Sequence, residues 1–152
     1  MVRNVHVREL PVPAGPFVER IQELWPVAWP AMKFDRPLGV GADGGHGPIR
    51  YRCTAFEPGS SITFEFVDIS GTHTLSAQGN LLRHELVASF DLVGRLRWAL
   101  VVRWVHDALL EDFLDNCSRA AGATPATPAR WSPWVRLVRR VFGMQDRQPS
   151  RT

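Results

Sequence analysis

A chain of 152 residues with 45% apolar side chains is one domain's worth and can build a hydrophobic core without disulfide staples. Its two cysteines, Cys53 and Cys117, are too few for a disulfide framework or a zinc site, so a reducing cytoplasm is the expected location. Residues 1–122 carry 12 basic and 14 acidic side chains and residues 123–152 carry 6 and 1, so the net charge of +3 belongs to the tail and the body lacks the basic stripe of a nucleic-acid-binding fold.

Residues 2–9 alternate, with Val5 and Val7 on one side and Asn4, His6 and Arg8 on the other, which predicts a first strand. The N-terminus lacks the apolar stretch of a signal peptide. Phe17, Val18, Ile21 and Leu24 predict a helix over 14–24, and the prolines of the WPVAWP stretch break or restart it, giving a short helical pair. Five further strands are predicted at about 37–41, 48–57, 61–68, 71–78 and 81–90, separated by ADGGHGP, PGSS, SG and QGN, and connections this short imply an antiparallel meander. The period of two puts Tyr51 and Cys53, then Ile62, Phe64 and Phe66, then Leu82, His84 and Leu86 on inward faces. Arg50 and Arg52 fall outward, where pairing with acidic neighbours across the strands is expected.

Residues 94–118 predict one long helix with Trp98, Val102, Val105, Leu109, Phe113 and Cys117 on one side. Asp107, Glu111 and Asp115 lie opposite and are expected to face solvent, while His106 falls inside the apolar stripe beside Val102, Leu110 and Phe113. The run Trp98–Val102, closed by Arg97 and Arg103, is far short of the ~20 apolar residues of a membrane span. After Gly122, ATPATPA is a proline-interrupted linker. Ser132 and Pro133 then start a basic amphipathic helix over about 131–142, with Trp134, Val135, Leu137, Val138, Val141 and Phe142 on one side and Arg136, Arg139 and Arg140 on the other. About ten residues do not hold a helix alone in water, so its apolar face needs the protein's own body, a partner or an anionic membrane surface, or else the segment is disordered.

This element order, with GGHGPIRYR at 44–52, PGSSITFEF at 58–66, LRHEL at 82–86 and HDALLEDFLD at 106–115, resembles a bacterial member of the START-like superfamily, also called SRPBCC or polyketide cyclase-like. The resemblance covers roughly residues 1–120. It implies an α+β helix-grip fold: a curved antiparallel sheet wrapped around a long C-terminal helix, with a largely apolar cavity between them. The chain then divides into a ligand-binding domain over 1–122 and a linker with a basic amphipathic segment over 123–152.

The candidate ligand-binding residues are Tyr51, Phe64, Phe66, His84, Val102, His106, Leu110 and Phe113, with His46 on a glycine-rich loop at the cavity mouth. His84 and His106 are the candidate catalytic acid and base, against the plainer alternative of core histidines satisfied by their neighbours. The five histidines show no HxxxH or HExxH spacing, so no metal and no cofactor is expected. Three functions follow: binding of a small hydrophobic or aromatic molecule, a cyclase or dehydratase acting on a polyketide-like substrate, or an interaction module recruited to a membrane or protein by residues 131–142. No nucleic-acid partner is expected.

Overall fold

The computed structural model describes residues 1–144; the last residues of the expected tail, 145–152, lie outside the described residues. Its elements are β1 (Val2–Glu9), α1 (Gly15–Glu19), β2 (Met32–Phe34), β3 (Asp43–His46), β4 (Ile49–Glu57), β5 (Ser61–Phe66), β6 (Ser70–Gln78), β7 (Leu81–Ser89), α2 (Leu92–Arg97), a π-helical turn (Trp98–Val102), α3 (Arg103–Ala120) and α4 (Pro133–Val141). The seven strands form one antiparallel sheet in the order β1-β7-β6-β5-β4-β3-β2. A register shift between Cys53 and Ala55 marks a bulge in β4, which bends that strand. The segment α2–π–α3 runs on as one helix of 29 residues across the sheet. This is the expected α+β helix-grip architecture.

Three segments differ from their predicted form. Residues 37–41 are turn rather than strand, and the glycine-rich loop expected before β4 is instead β3. A Cβ on Gly45 would lie 1.9 Å from the Ile49 carbonyl oxygen and one on Gly44 would lie 2.2 Å from that of Lys33. Glycine is therefore what lets β3 pair so closely with both neighbours, while its low strand propensity disguises the strand. The helix expected over 14–24 is α1 alone, and the second member of the helical pair is a set of hydrogen-bonded turns such as Trp29 N–H to the Pro26 carbonyl. Proline at 26 and 30 stops anything longer from forming there.

The core fills the concave side of the sheet. Tyr51, Cys53, Ile62, Phe64, Leu75 and Leu82 are buried from the strands, and Phe17, Val18, Phe113, Leu114 and Cys117 close over them. Cys53 and Cys117 are free and buried, and burial pushes the Cys117 thiol up to about 12. The π turn is made by the Arg103 N–H bonding back to the Trp98 carbonyl, five residues earlier. It sends Trp98 inward against Leu86 and Ala88 while Leu100 stays exposed.

The acidic residues of the long helix do not face solvent as expected. Edge strand β1 turns Val5 and Val7 outward and Asn4, His6 and Arg8 inward, onto α3. Asn4 Nδ2 donates to Asp107 Oδ1 at 2.9 Å, and His6 bonds Glu111 through Nδ1 at 2.7 Å and Asp107 through Nε2 at 3.1 Å. Arg8 spans Glu111 Oε2 at 2.8 Å and Asp115 Oδ1 at 2.7 Å. Asp115 is buried, and its other oxygen accepts the Ala129 N–H at 2.8 Å. A buried carboxylate with this many donors is stable only while they persist. On the outer surface Arg52 pairs with its cross-strand acidic neighbour Asp43 at 2.7 Å.

The C-terminal helix docks on the body through only part of the expected apolar side, joined by one arginine from the expected polar side. Val135, Val138 and Arg139 point inward, and Val135 packs with Trp29, Leu109 and Leu110. Arg139, expected on the polar side, is buried between the indoles of Trp29 and Trp131, its guanidinium 4.3 and 4.0 Å from their ring centroids. It donates to the Ala28 carbonyl at 2.7 Å, and Asp112 Oδ2 accepts from both indole N–H groups at 2.7 and 2.8 Å. Arg139, two tryptophans and a carboxylate thus clamp residues 131–139 to the body.

Asp115→Ala leaves Arg8 without its buried partner and the Ala129 N–H without an acceptor, which is expected to cost about 3 kcal/mol. In a domain of this size that appears as a fall of roughly 10 °C in melting temperature. Deleting residues 123–152 moves the net charge from +3 to −2. It uncovers Trp29, Leu109 and Leu110, so thermal melting should fall by several degrees while far-ultraviolet circular dichroism still reports the sheet.

Candidate functional site

All five histidines of the chain gather on the concave side of the sheet or at its edge, although the sequence scatters them over 100 positions. His6 and His84 are direct cross-strand partners between β1 and β7, and His73 sits on β6 opposite Leu86. The ring centroids of Tyr51 and His73 are 4.6 Å apart, those of His73 and His84 5.7 Å, those of His84 and His106 5.5 Å, and those of His106 and His6 6.1 Å. His46, on β3, extends the row beyond Tyr51 at 5.9 Å and packs against Trp25 at 5.0 Å. The result is a polar row that crosses the sheet diagonally and ends on the helix.

The walls of this row are apolar. Phe64 and Phe66 stack on His73 at 5.0 and 5.2 Å, and Trp98 lies 5.7 Å from His106. Phe113 closes the main core nearby, and partly buried Val102 packs with Trp98, Leu86 and Ala88. Leu110 stands apart from the rest of the expected set, packing with Trp29, Leu109 and Val135 under α4. His46 lies on a strand rather than a loop. Trp98 falls on the predicted apolar side of the long helix but not in the expected ligand-binding set, and His73 and the inward side of His6 were not singled out from the sequence. A period-two reading of THTL places His73 inward with Leu75, and that was the available signal for it.

The row divides electrostatically. Burial holds the pKa of His73, of His84 and of His106 below the ordinary 6.5, well below it for the first two, and takes His46 down to about 4. Burial also opposes the charge on His6, but the carboxylates of Asp107 and Glu111 outweigh it and raise its pKa to about 9. Burial works against the Asp107 carboxylate as well, yet His106, His6 and Asn4 around it hold its pKa down. At neutral pH one end of the row is therefore a charged imidazolium between two carboxylates, and the rest is neutral.

His84 Nε2 and His73 Nδ1 are 3.4 Å apart, a long hydrogen bond whose direction depends on the tautomers. Tyr51 Oη, His73 Nε2, His84 Nδ1, His106 Nδ1 and Asn4 Oδ1 are buried without a hydrogen-bond partner. Unpartnered polar atoms in an apolar interior are costly, and five in one region is a concentration that ordinary core packing avoids. Of two surface concavities, the one of about 510 Å³ beside Pro16 and Gly59 lies away from the row, and the one of about 390 Å³ beside Lys33 and Gly45 meets it only at His46. Where an open cavity is expected between sheet and helix, the row is closed off from solvent, with Tyr51 and Phe64 wholly buried and Phe113 nearly so.

His6, His106 and Asp107 bring one potential metal-ligand atom each to within 4.8 Å of one another. His6, however, engages a carboxylate with both ring nitrogens. With its raised pKa it is an imidazolium with no lone pair to offer, so this corner reads as an ion pair.

No protein-family model matches this chain, and no curated protein matches it in sequence. Solved structures do match in shape. The KanY protein superposes with a TM-score of 0.62 at 7% identity, covering 80% of this chain and 98% of its own. A protein from Thermobifida fusca gives 0.58 at 13%, covering 82% and 97%. A norcoclaurine synthase point mutant from Thalictrum flavum, in complex with a transition-state analogue, gives 0.53 at 12%, covering 79% and 94%. The chain is a helix-grip protein. Its fold is that of the START-like, polyketide cyclase-like proteins, and at these identities the likeness extends to the fold alone. No described helix is long and apolar enough to cross a membrane.

The two halves of the row make opposite contributions to stability with pH. His6, raised from 6.5 to about 9, stabilises the fold fully below pH 6.5 and loses that contribution as pH rises through 9, on the order of 2 kcal/mol. His73, His84 and His106, depressed, stabilise the fold above 6.5 and lose that contribution as pH falls below it. Melting temperature should therefore peak between about pH 6.5 and 8. His6→Gln should flatten the alkaline limb and leave the acid limb in place, as thermal scans across pH 5 to 10 will report.

Proposed function

We propose that this protein binds a small aromatic or largely apolar molecule carrying one or two hydroxyl or carbonyl groups between the sheet and the long helix. The observation that carries this reading is the set of unpartnered atoms Tyr51 Oη, His73 Nε2, His84 Nδ1 and His106 Nδ1 within walls of Phe64, Phe66, Trp98 and Phe113. Apolar walls with a few convergent polar groups are what a ligand site of this kind requires. The ligand's own donors and acceptors would then satisfy them. If His84 donates to His73, His73 Nε2 is left as a donor and His84 Nδ1 as an acceptor; the reverse tautomers exchange those roles. The pair suits a ligand that presents one donor and one acceptor, such as a hydroxyketone or a phenol. Because the row is closed off from solvent, a ligand enters only as side chains move, and Trp25, Phe34 and Phe66 are the partly buried aromatic groups around it.

The second reading is a cyclase or dehydratase in which His84 and His106 move the proton, and the His73–His84 contact favours it by offering a path. Against it, an imidazole whose pKa lies well below 6.5 is a weak general base at neutral pH, whereas a good one is poised near 7. A depressed pKa favours binding over catalysis.

Native mass spectrometry of freshly purified protein should find a co-purifying small molecule, and its mass identifies the class. Phe64→Trp and His84→Gln should each weaken binding of that molecule by roughly tenfold or more while the protein stays folded. In the enzymatic reading His84→Gln or His106→Gln instead lowers turnover by about 10² to 10⁴ with affinity nearly unchanged. Unaltered affinity and turnover in both variants would remove the site.

A further inference from the structure

Docking α4 on the body leaves its other apolar side outward. Trp134, Leu137 and Val141, spaced three and four apart, are all exposed, whereas Val135, Val138 and Arg139 face in. The start of the long helix does the same: Leu96, Leu100 and Trp104, at steps of four through the π turn, are 48–60% exposed. The two stripes adjoin, because the Trp134 indole N–H donates to the Leu100 carbonyl at 2.9 Å. Trp104 likewise donates to the Ala99 carbonyl at 3.1 Å. Both exposed indoles thus have their one polar group satisfied within the protein, leaving ring surface that enters an apolar medium without losing a hydrogen bond.

From 92 to 106 and along α4 the charged side chains have one sign. Arg95, Arg97, Arg136 and Arg140 are exposed and pair with no carboxylate among the described residues. Between Asp91 and Asp107 the chain has no acidic residue, and it has none from 116 to 144. The acidic excess of the body lies elsewhere, much of it in the β1–α3 network. Two neighbouring helices with tryptophan and leucine outward, flanked by arginine and free of carboxylates, have the composition of helices that lie in a membrane interface.

We infer that the composite face formed by the outer side of α4 and the α2–π segment is a docking surface for an anionic lipid bilayer. Leucine and tryptophan enter the headgroup boundary and the flanking arginines meet the lipid phosphates. This differs from insertion of the inward face of residues 131–142, which the body already covers, and it does not depend on the ligand site.

The test uses the full chain in co-sedimentation with vesicles of phosphatidylcholine alone and with about one third phosphatidylserine. The protein should partition onto the anionic vesicles and much less onto the neutral ones, with a blue shift in tryptophan emission. Raising salt to several times physiological ionic strength should weaken binding by about tenfold or more. Leu100→Glu and, separately, Leu137→Glu should each reduce binding at least tenfold with unchanged melting temperature, since both side chains are exposed, and Arg97→Glu with Arg140→Glu should abolish the preference for phosphatidylserine. Failure to bind anionic vesicles overturns the inference. So does a wild-type dimer in sedimentation velocity that Leu100→Glu turns into monomer, because a second copy is then the occupant.

Discussion

The long helix is held in its grip by a match between two periods. Along α3 the carboxylates Asp107, Glu111 and Asp115 recur every four residues, about 6 Å apart along the axis. Along β1 the side chains of Asn4, His6 and Arg8 recur every second residue, about 6.6 Å apart. The steps are close enough for each strand residue to meet the carboxylate opposite it, and His6 and Arg8 each bridge two. Both rows ascend in sequence together, so strand and helix run the same way and their register is specified. A one-residue slip of β1 would turn Val5 and Val7 onto the carboxylates and strand His6 in solvent. The position of His106 against His84, and hence the geometry of the interior, depends on this contact.

Much of the frame is legible in local pattern. The inward faces of β4, β5 and β7 follow from alternation, and Tyr51, Phe64 and His84 are buried as their positions imply. What is not legible depends on partners far away in the chain. Asp107, Glu111 and Asp115 read as a solvated stripe with only the exposed Arg103 and Arg119 of the same helix beside them, while the strand residues that cover them lie about a hundred positions earlier. Arg139 reads as the polar face of a helix, yet two indoles and a carboxylate rim make its buried position tolerable. β3 is hidden for the opposite reason, since its glycines carry no strand signal and matter only through what a Cβ would strike. In the candidate site His84 and His106 come together as their faces predict, but His73 and His6 complete the row through cross-strand register, which no single segment encodes.

Two electrostatic environments then meet within one histidine row. At the β1 edge carboxylates are abundant and His6 is charged; one ring further in, burial has no compensating charge and the imidazoles are neutral. His106 stands at the boundary. Its Nδ1 is 3.9 Å from Asp107 Oδ1, beyond hydrogen-bonding distance, and Asp107 is already committed to His6 and Asn4. Burial is the main cause that disfavours a second proton on His106; the Asp107 carboxylate opposes it and the positive charge on His6 adds to it. Burial therefore keeps the His106 imidazole neutral, with Asp107 and His6 of the β1–α3 network pulling in opposite directions on it.

That neutrality bears on what the interior can recognise. A row of imidazolium groups would select an anion, and no buried carboxylate stands close enough to His73 or His84 to hold them charged. Neutral imidazoles beside a phenol select by hydrogen-bond pattern and shape, with phenylalanine and tryptophan rings setting the plane of whatever lies against them. The outer face of α4 and the π turn works by the reverse rule, presenting fixed arginine charge and unspecific apolar area. The proposed interior site and the proposed outer surface are physically separable, because α3 lies between them with Phe113 and Leu114 in the main core and Leu109 under α4. A change to either surface therefore need not disturb the other unless it moves that helix along β1.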